Sequence, residues 1–362
     1  MRGVSSGAGR APWQAEIGGD ESIRRALVIK WSALGDVAIA TATIQDIADS
    51  LPHCELHLNT LPPWGQLFSN DPRFGEILSI DLRGRERGPA GMVRWITEVR
   101  RRRYDAIFDL QGNDHTRILL SLLWLSGSRV RYRVGYRRQF PYNIAPPAPA
   151  SLTAHVFEQA RALLVAAGIE PRTKRPVLAL PESQQQRTEA LLAAAGIDRD
   201  NFAVFLPGCQ AAGYLKRWGA TRYAELARRL QLAGVARVVL LGGPDEFEEC
   251  ARIAAAVGSR IVNLCGRTEV LEVIPICARA RVIVANDTGT AHLASATGRP
   301  MVVICGPTDP RRVKPRGDNV DTYQAQLPCI NCYRKHCAHH SCMRVITPAM
   351  VEAKVKSVLA LG

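Results

Sequence analysis

The chain of 362 residues is 47% hydrophobic, long enough to bury the cores of two ordinary domains and too long for a single small module. Its 47 Lys and Arg residues against 33 Asp and Glu give a formal charge of +14, which favours a polyanionic partner: nucleic acid, an anionic membrane surface or a phosphorylated substrate. No apolar run approaches the ~18 residues of a membrane span, and the start, MRGVSSGAGRAPWQAEIGGDES, lacks the apolar core of a signal peptide, so a cytoplasmic protein is expected.

Residues 1–22 are rich in Gly, Ser and Ala without periodicity and read as a flexible extension. A buried-strand pattern at Ala26 to Lys30, a turn at Trp31 to Asp36, a helical pattern over Val37 to Asp49 and a strand at Glu55 to Thr60 form a first βαβ unit. The alternation continues with strand Ile77 to Ile80, a helix from about Gly91 to Arg103, strand Tyr104 to Leu110, a helix from about Asp114 to Ser126 and a strand over Arg129 to Gly135. Strands separated by helices imply a parallel, doubly wound sheet. After a helix over His155 to Ala167, Pro171, Pro176 and Pro181 mark a change of regime. The reading is therefore one domain over 23–169 and a second over 170–362, with helix Ser183 to Ala195 assignable to either.

The second half repeats the pattern. Strand Phe202 to Leu206, helix Arg222 to Leu232, strand Val238 to Leu241, helix Phe247 to Val257, strand Ile261 to Asn263 and helix Leu271 to Ala280 lead to the stretch RVIVANDTGTAHLASATGRPMVVICGPTDP. There a buried strand (Arg281 to Ala285) turns at Asn286 to Gly289, a short helix spans Thr290 to Thr297, and a second buried strand runs from Met301 to Cys305. A helix from Pro348 to Leu359 closes the chain. The fold class is α/β, two Rossmann-like domains facing a cleft.

Several turns carry residues that suit a phosphorylated ligand. A helix starting at the carboxyl end of a strand offers unpaired N–H groups to a phosphate; Thr288, Gly289 and Thr290 would supply them, although Asp287 or Thr288 could equally be an ordinary N-cap. Gly208 ends a strand, with Lys216 shortly before the next helix. Asp245 and Glu246 follow another strand, where a carboxylate can accept hydrogen bonds from a ribose diol, or else cap the helix behind them. Asp36 stands at the end of the first strand, as a cap or as a reactive carboxylate. Basic runs at Arg100 to Arg103 and Arg129 to Arg138 mark the first half. Six of ten cysteines are scattered. The other four, Cys329, Cys332, Cys337 and Cys342, are interleaved with His336, His339 and His340. Their ligand types could hold a structural zinc, although the spacing is not that of a paired knuckle, and reduced structural thiols are the other reading.

The run DTGTAHLASA followed by GPTDP resembles the signature of glycosyltransferase family 9, the ADP-heptose:lipopolysaccharide heptosyltransferases. IKWSALGDVAIATATIQDI (Ile29 to Ile47) resembles the family's N-terminal loop and first helix, FLPGCQAAGYLKRWGATRYAELARRL (Phe205 to Leu230) its donor-phosphate loop, and CINCYRKHCAHHSCMRVITPAMV (Cys329 to Val351) its cysteine-rich tail. These segments follow the family's order across most of the chain after residue 25. Gly219 departs from it, standing where proline is common.

The resemblance implies the GT-B architecture, with a last helix that crosses back onto the first domain. It also implies inverting transfer of heptose from ADP-heptose to the lipopolysaccharide inner core. Asp36 would be the catalytic base. Gly35, Gly208, Lys216, Asp245, Glu246, Asp287, Thr288, Gly289 and His292 would bind the ADP-sugar donor, with Trp218 packing behind the Lys216 loop. Arg133, Arg137 and Arg138 of the first domain would meet an anionic glycolipid acceptor, in preference to nucleic acid, from a peripheral position on the cytosolic membrane face. No D-x-D pair of the type that holds a divalent ion against a sugar nucleotide is recognised, so no cofactor is expected to be required; Lys216 and a helix terminus would stabilise the departing diphosphate. Rival readings are a family 9 transferase with another sugar or a protein acceptor, and a noncatalytic nucleotide-sugar or polyanion-binding protein.

Overall fold

The computed structural model describes residues 13–147, 154–197, 200–209 and 211–360. They divide into two compact units, one within Met1–Ser32 and Ala40–Thr173, the other within Ala33–Ile39 and Lys174–Gly362. In the first, β1 (Arg25–Ile29), β2 (Glu55–Thr60), β3 (Glu76–Ser79), β4 (Ala106–Asp109) and β5 (Tyr132–Val134) make one sheet in the order β3-β2-β1-β4-β5. In the second, β6 (Phe202–Leu206), β7 (Arg237–Leu240), β8 (Ile261–Asn263), β9 (Val282–Asn286), β10 (Met301–Cys305) and β11 (Val320–Gln324) stand in the order β11-β10-β9-β6-β7-β8. The pairings are parallel in both sheets.

Parallel strands require crossovers, and the crossover helices cover both faces. That is why the central strands FAVFL (β6), VIVAN (β9) and MVVIC (β10) are buried along their whole length. Their side chains feed two separate cores, one on each side of the second sheet. Each fully buried Val, Ile, Leu or Phe is worth roughly 1.5–3 kcal/mol, so these apolar runs specify the sheet.

Register fixes where the strands end. Leu206 pairs with Ala285, so β6 and β9 finish side by side while the chain winds away from them in opposite directions. This is the reversal point at which open α/β sheets bind ligands beyond the carboxyl ends of their strands. It sets Pro207–Cys209 beside Asp287–Gly289. In the first sheet the corresponding reversal lies between β1 and β4, where Ile29 pairs with Asp109.

Four sequence expectations need correction. Residues 1–12 of the expected flexible extension lie outside the described residues, but residues 13–22 are packed: Ile17 is fully buried, and the amides of Ile17 and Gly19 donate to Ala167 O and Ser50 O. The first helix spans Leu34–Ser50 and so begins before Val37; Val37 N already donates to Ala33 O at 2.8 Å. Strand β11 was missed because it is a half-exposed edge strand without a continuous apolar run. Finally, helix Pro348–Ala360 packs within the second unit, its Val351, Val355 and Val358 joining the core beneath helix Ala220–Leu232.

Candidate active site

Asp287 is the centre of a buried polar cluster at the end of β9. Lys216 Nζ donates to Asp287 Oδ2 at 2.8 Å, and Thr308 Oγ1 donates to the same oxygen at 2.7 Å. Burial by itself would lower the Lys216 pKa, but the charge and hydrogen bond of Asp287 outweigh it, and the ammonium is held charged. An ammonium has three donors, and the Lys216 side chain remains 30% exposed. The geometry is that of a buried carboxylate aiming a cation. An anionic ligand would meet Lys216, whereas Asp287 would repel it.

His292 lies on the same wall, with Nε2 4.0 Å from Asp287 Oδ1. Burial pushes its pKa down, opposed by Asp287 and Asp36. Its Nδ1 is buried without a hydrogen-bond partner, which a ligand atom could satisfy. The helix between is short, Gly289–Ala294, and Thr288 caps it by accepting from Ala291 N at 3.3 Å and pairing with Thr290 Oγ1 at 2.9 Å. The cap that the sequence left open is thus Thr288.

Trp218 and Tyr223 hold the Lys216 loop from behind. Trp218 Nε1 donates to Ile346 O at 2.9 Å, its ring meets Tyr223 edge-on at 5.0 Å, and Tyr223 donates to Asn286 Oδ1 at 3.1 Å. Asn286 in turn donates to Pro207 O, tying β9 to the turn after β6. Sequence reasoning passed over Arg217. Its guanidinium donates to Cys209 O at 2.7 Å and to Asp245 O at 2.9 Å, bridging the two loops assigned to the donor. Nothing but its adjacency to Lys216 could have indicated it.

Asp245 is exposed and Glu246 half-buried. Glu246 Oε2 accepts from Gly243 N at 2.6 Å, and the side chain lies directly over Gly208, where a Cβ would come within 1.6 Å of its Cγ. Glycine at 208 is therefore required by close approach. Next to them, the buried carboxyl of Glu249, 3.8 Å from Arg217, has its pKa pushed up to about 7 by burial despite that cation. A folded-state pKa raised above the ordinary 4.5 means that the folded state holds a proton the unfolded state has lost. The associated stability is complete below pH 4.5 and disappears by about pH 7, a loss of about 3 kcal/mol. Glu249→Gln should therefore gain about 2–3 kcal/mol on the wild type between pH 5 and pH 8; urea midpoints that differ equally at both pH values would refute this.

Segment Ala33–Ile39, which is counted with the second unit, brings Asp36 to this site. Asp36 sits in the first turn of its helix instead of at the cap position, and its Oδ2 accepts from Ala33 N at 3.4 Å. Gly35 lies against His292, whose Cδ2 would be 2.7 Å from any Cβ added there, and Gly289 is pressed against Leu34 in the same way. Both glycines serve close packing of the Asp36 turn onto the His292 helix.

The cysteine-rich segment lies behind the same loops. All four of its cysteines are free and line one cavity of about 210 Å³, together with Leu215 and Pro307. The zinc expected as one alternative has no preformed site among the described residues, where no three His, Cys, Asp or Glu side chains are arranged to hold a metal ion, although Cys329, Cys332 and Cys337 stand near enough to Cys342 to add to burial in raising its thiol pKa. What the segment does is brace: His340 Nε2 pairs with Leu215 O at 2.7 Å, Tyr333 N donates to Pro307 O at 3.0 Å, and Gln324 joins Thr308 O to Asn331. One Asp-x-Asp triplet, Asp198-Arg199-Asp200, does occur in the sequence, contrary to the reading above. Asp200 lies just before the amino end of β6, whereas the Asp287 cluster stands at the carboxyl ends of the strands, and it holds Arg279 at 2.8 Å; Asp198 and Arg199 lie outside the described residues.

In the first unit, Arg133 is half-buried and donates to Pro141 O and Val130 O, which makes it a brace for its own loop. Arg137 and Arg138 are exposed; Arg137 lies 3.6 Å from Asp114, and Arg138 Nε donates to Pro146 O.

Two doubly wound parallel sheets, the second with a buried Lys–Asp–Thr–His cluster at its reversal point, give the chain the GT-B fold. The family model for glycosyltransferase family 9 (heptosyltransferase) matches residues 92–342, and the chain belongs to that family. Among relatives, lipooligosaccharide heptosyltransferase 2 of Haemophilus influenzae is 25% identical over 92% of this chain and 99% of its own. Lipopolysaccharide heptosyltransferase 2 of Salmonella typhimurium is 26% identical over 78% of this chain and 83% of its own. Of solved structures, a family 9 glycosyl transferase from Veillonella parvula superposes with a TM-score of 0.80 at 18% identity, covering 94% of this chain and 98% of that one. The E. coli ADP-heptose lps heptosyltransferase II gives 0.72 at 22%, covering 93% and 99%.

Proposed function

We propose that the protein moves heptose from ADP-heptose to the inner core of lipopolysaccharide, with inversion at the anomeric carbon and without a metal cofactor. The observation that carries this reading is the Lys216–Asp287–Thr308 cluster with His292 beside it, at the reversal point of the second sheet. Lys216, oriented by Asp287, would take the donor diphosphate and neutralise the charge that builds on it as the sugar departs. His292, neutral because it is buried, would hydrogen-bond a diphosphate oxygen or a sugar hydroxyl. Backbone amides of Thr288 and Gly289 would complete the phosphate contacts, and Glu246, lying over Gly208 at the end of β6, would accept from the ribose diol, with Asp245 at its rim.

Asp36 would remove the proton from the acceptor hydroxyl as that oxygen attacks the anomeric carbon from the face opposite the leaving diphosphate. Arg137 and Arg138 would meet the phosphorylated head of the glycolipid, with Arg133 holding their loop in shape. The four cysteines act as reduced structural thiols in this account. The protein would work from the cytosolic face of the inner membrane, where donor and acceptor meet.

The test is incubation of the purified protein with ADP-heptose and a panel of truncated lipopolysaccharides, followed by weighing the products. A single-heptose gain on one member of the panel, with release of ADP, is expected. Transfer of another sugar in preference, or transfer to protein, would reject the reading.

A further inference from the structure

Helix Asp114–Leu125, sequence DHTRILLSLLWL, is apolar around most of its circumference. Such a helix is ordinarily enclosed on all sides or embedded in lipid. Here Leu119, Leu120 and Leu123 are buried in the first unit's core, whereas Ile118, Leu122 and Leu125 form an outward stripe at i, i+4 and i+7. Exposure along that stripe runs from 38% at Leu122 to 67% at Leu125. Trp124, 45% exposed, stacks edge-on against the 48% exposed Phe140 at 5.3 Å. Five large apolar side chains on one helix and its neighbouring loop are thus left in water. Scattered single residues of this kind need no explanation, but a contiguous ridge does.

The charge around the ridge says what covers it. Arg117 on the helix, and Arg137 and Arg138 on the loop that carries Phe140, flank it at one end; Arg129 and Arg100 stand at the other, Arg100 3.9 Å from a Cβ placed on Gly127. The acidic side chain among them is Asp114, 3.4 Å from Arg117 and 3.6 Å from Arg137. A protein partner for an apolar helix face would not need five guanidinium groups at its rim. An anionic bilayer does: the aliphatic stripe enters the acyl boundary, the indole and phenyl rings sit at headgroup depth, and the arginines meet lipid phosphates.

We propose that Ile118, Leu122, Trp124, Leu125 and Phe140, ringed by these arginines, form a surface that inserts into an anionic phospholipid bilayer. This deepens the glycolipid-acceptor reading by naming the face that meets the membrane. The position suits it. The helix leaves the carboxyl end of β4 through Gln111, whose Oε1 accepts from Trp31 N at 3.0 Å, and His115 in its first turn meets the Trp31 ring edge-on at 5.3 Å. Trp31 is five residues before Asp36, so the lipid-facing helix is packed against the loop that leads to the proposed base.

The experiment is flotation of the full chain with vesicles of phosphatidylcholine alone and of phosphatidylcholine with phosphatidylglycerol, all free of glycolipid. Wild-type protein is expected to float with the anionic vesicles and to be released as salt rises. Leu122→Ser with Leu125→Ser should lower vesicle affinity at least tenfold while turnover on a deacylated, soluble acceptor stays unchanged. Leu232→Ser, at an 89% exposed leucine of the second unit, should float as the wild type does. Undiminished flotation of the double variant overturns the proposal, and so does a wild-type dimer that this variant dissociates, since a second copy would then cover the ridge. Absence of sugar transfer with normal flotation would reject the enzymatic reading and leave the surface standing.

Discussion

Asp36→Asn is expected to melt like the wild type, bind ADP like the wild type, and lose at least about a hundredfold in turnover, the low end of what general-base catalysis supplies. The structure recasts the rival role: instead of capping from outside the helix, Asp36 reaches back from the first turn to the amide of Ala33. Asp36 is not the cap residue of helix Leu34–Ser50; it is exposed in the first turn and makes one long contact, 3.4 Å, to Ala33 N. Asparagine keeps an oxygen that can accept that bond, so folding loses little. It cannot take a proton from a hydroxyl. Single-turnover rates with ADP-heptose and a truncated acceptor, alongside melting curves, separate the two properties. Turnover within a few-fold of wild type would mean that another group is the base.

Lys216→Ala should raise the Kd for ADP by about 10- to 150-fold, the equivalent of ~1.5–3 kcal/mol for a charged hydrogen-bond partner of a phosphate. It should also lower stability, because Asp287 is 4% exposed and would keep, among the described residues, the Thr308 hydrogen bond and the longer contact to His292. Breaking a fully buried pair costs about 3–5 kcal/mol; with Lys216 30% exposed, about 2 kcal/mol is the better figure. Calorimetry with ADP and urea unfolding without it read the two effects separately. An unchanged ADP affinity in a destabilised protein would make Lys216 a partner for Asp287 and nothing more.

The parallel sheets were legible in the sequence because strands buried on both faces read as unbroken apolar runs; β6, β9 and β10 are such runs. Edge strand β11 carries no such mark. Neither does the packing of residues 13–22, where one Ile17 and a few backbone bonds do the anchoring within an otherwise featureless stretch. Lys216 and Asp287 could be picked out as turn residues at strand ends, but their partnership across 71 positions is a product of register, which brings β6 and β9 to a common end. Thr308 stood in the quoted G-P-T-D-P run without a role until β10 was seen to deliver it to Asp287. Arg217, Glu249 and the His340 brace depend on loop conformations that no periodicity encodes. Arg133, by contrast, stands in the basic run that the resemblance assigns to the acceptor, and the fold uses it to hold two carbonyl oxygens.

The most direct test of a single displacement driven by Asp36 and Lys216 is the anomeric configuration of the transferred sugar, read by NMR on the product made from ADP-heptose in the presence of a chelator. The account predicts full conversion to the configuration opposite to that of the donor, at a rate the chelator leaves unaltered. A product that retains the donor's configuration, or a reaction that stops until a divalent ion is restored, would contradict it.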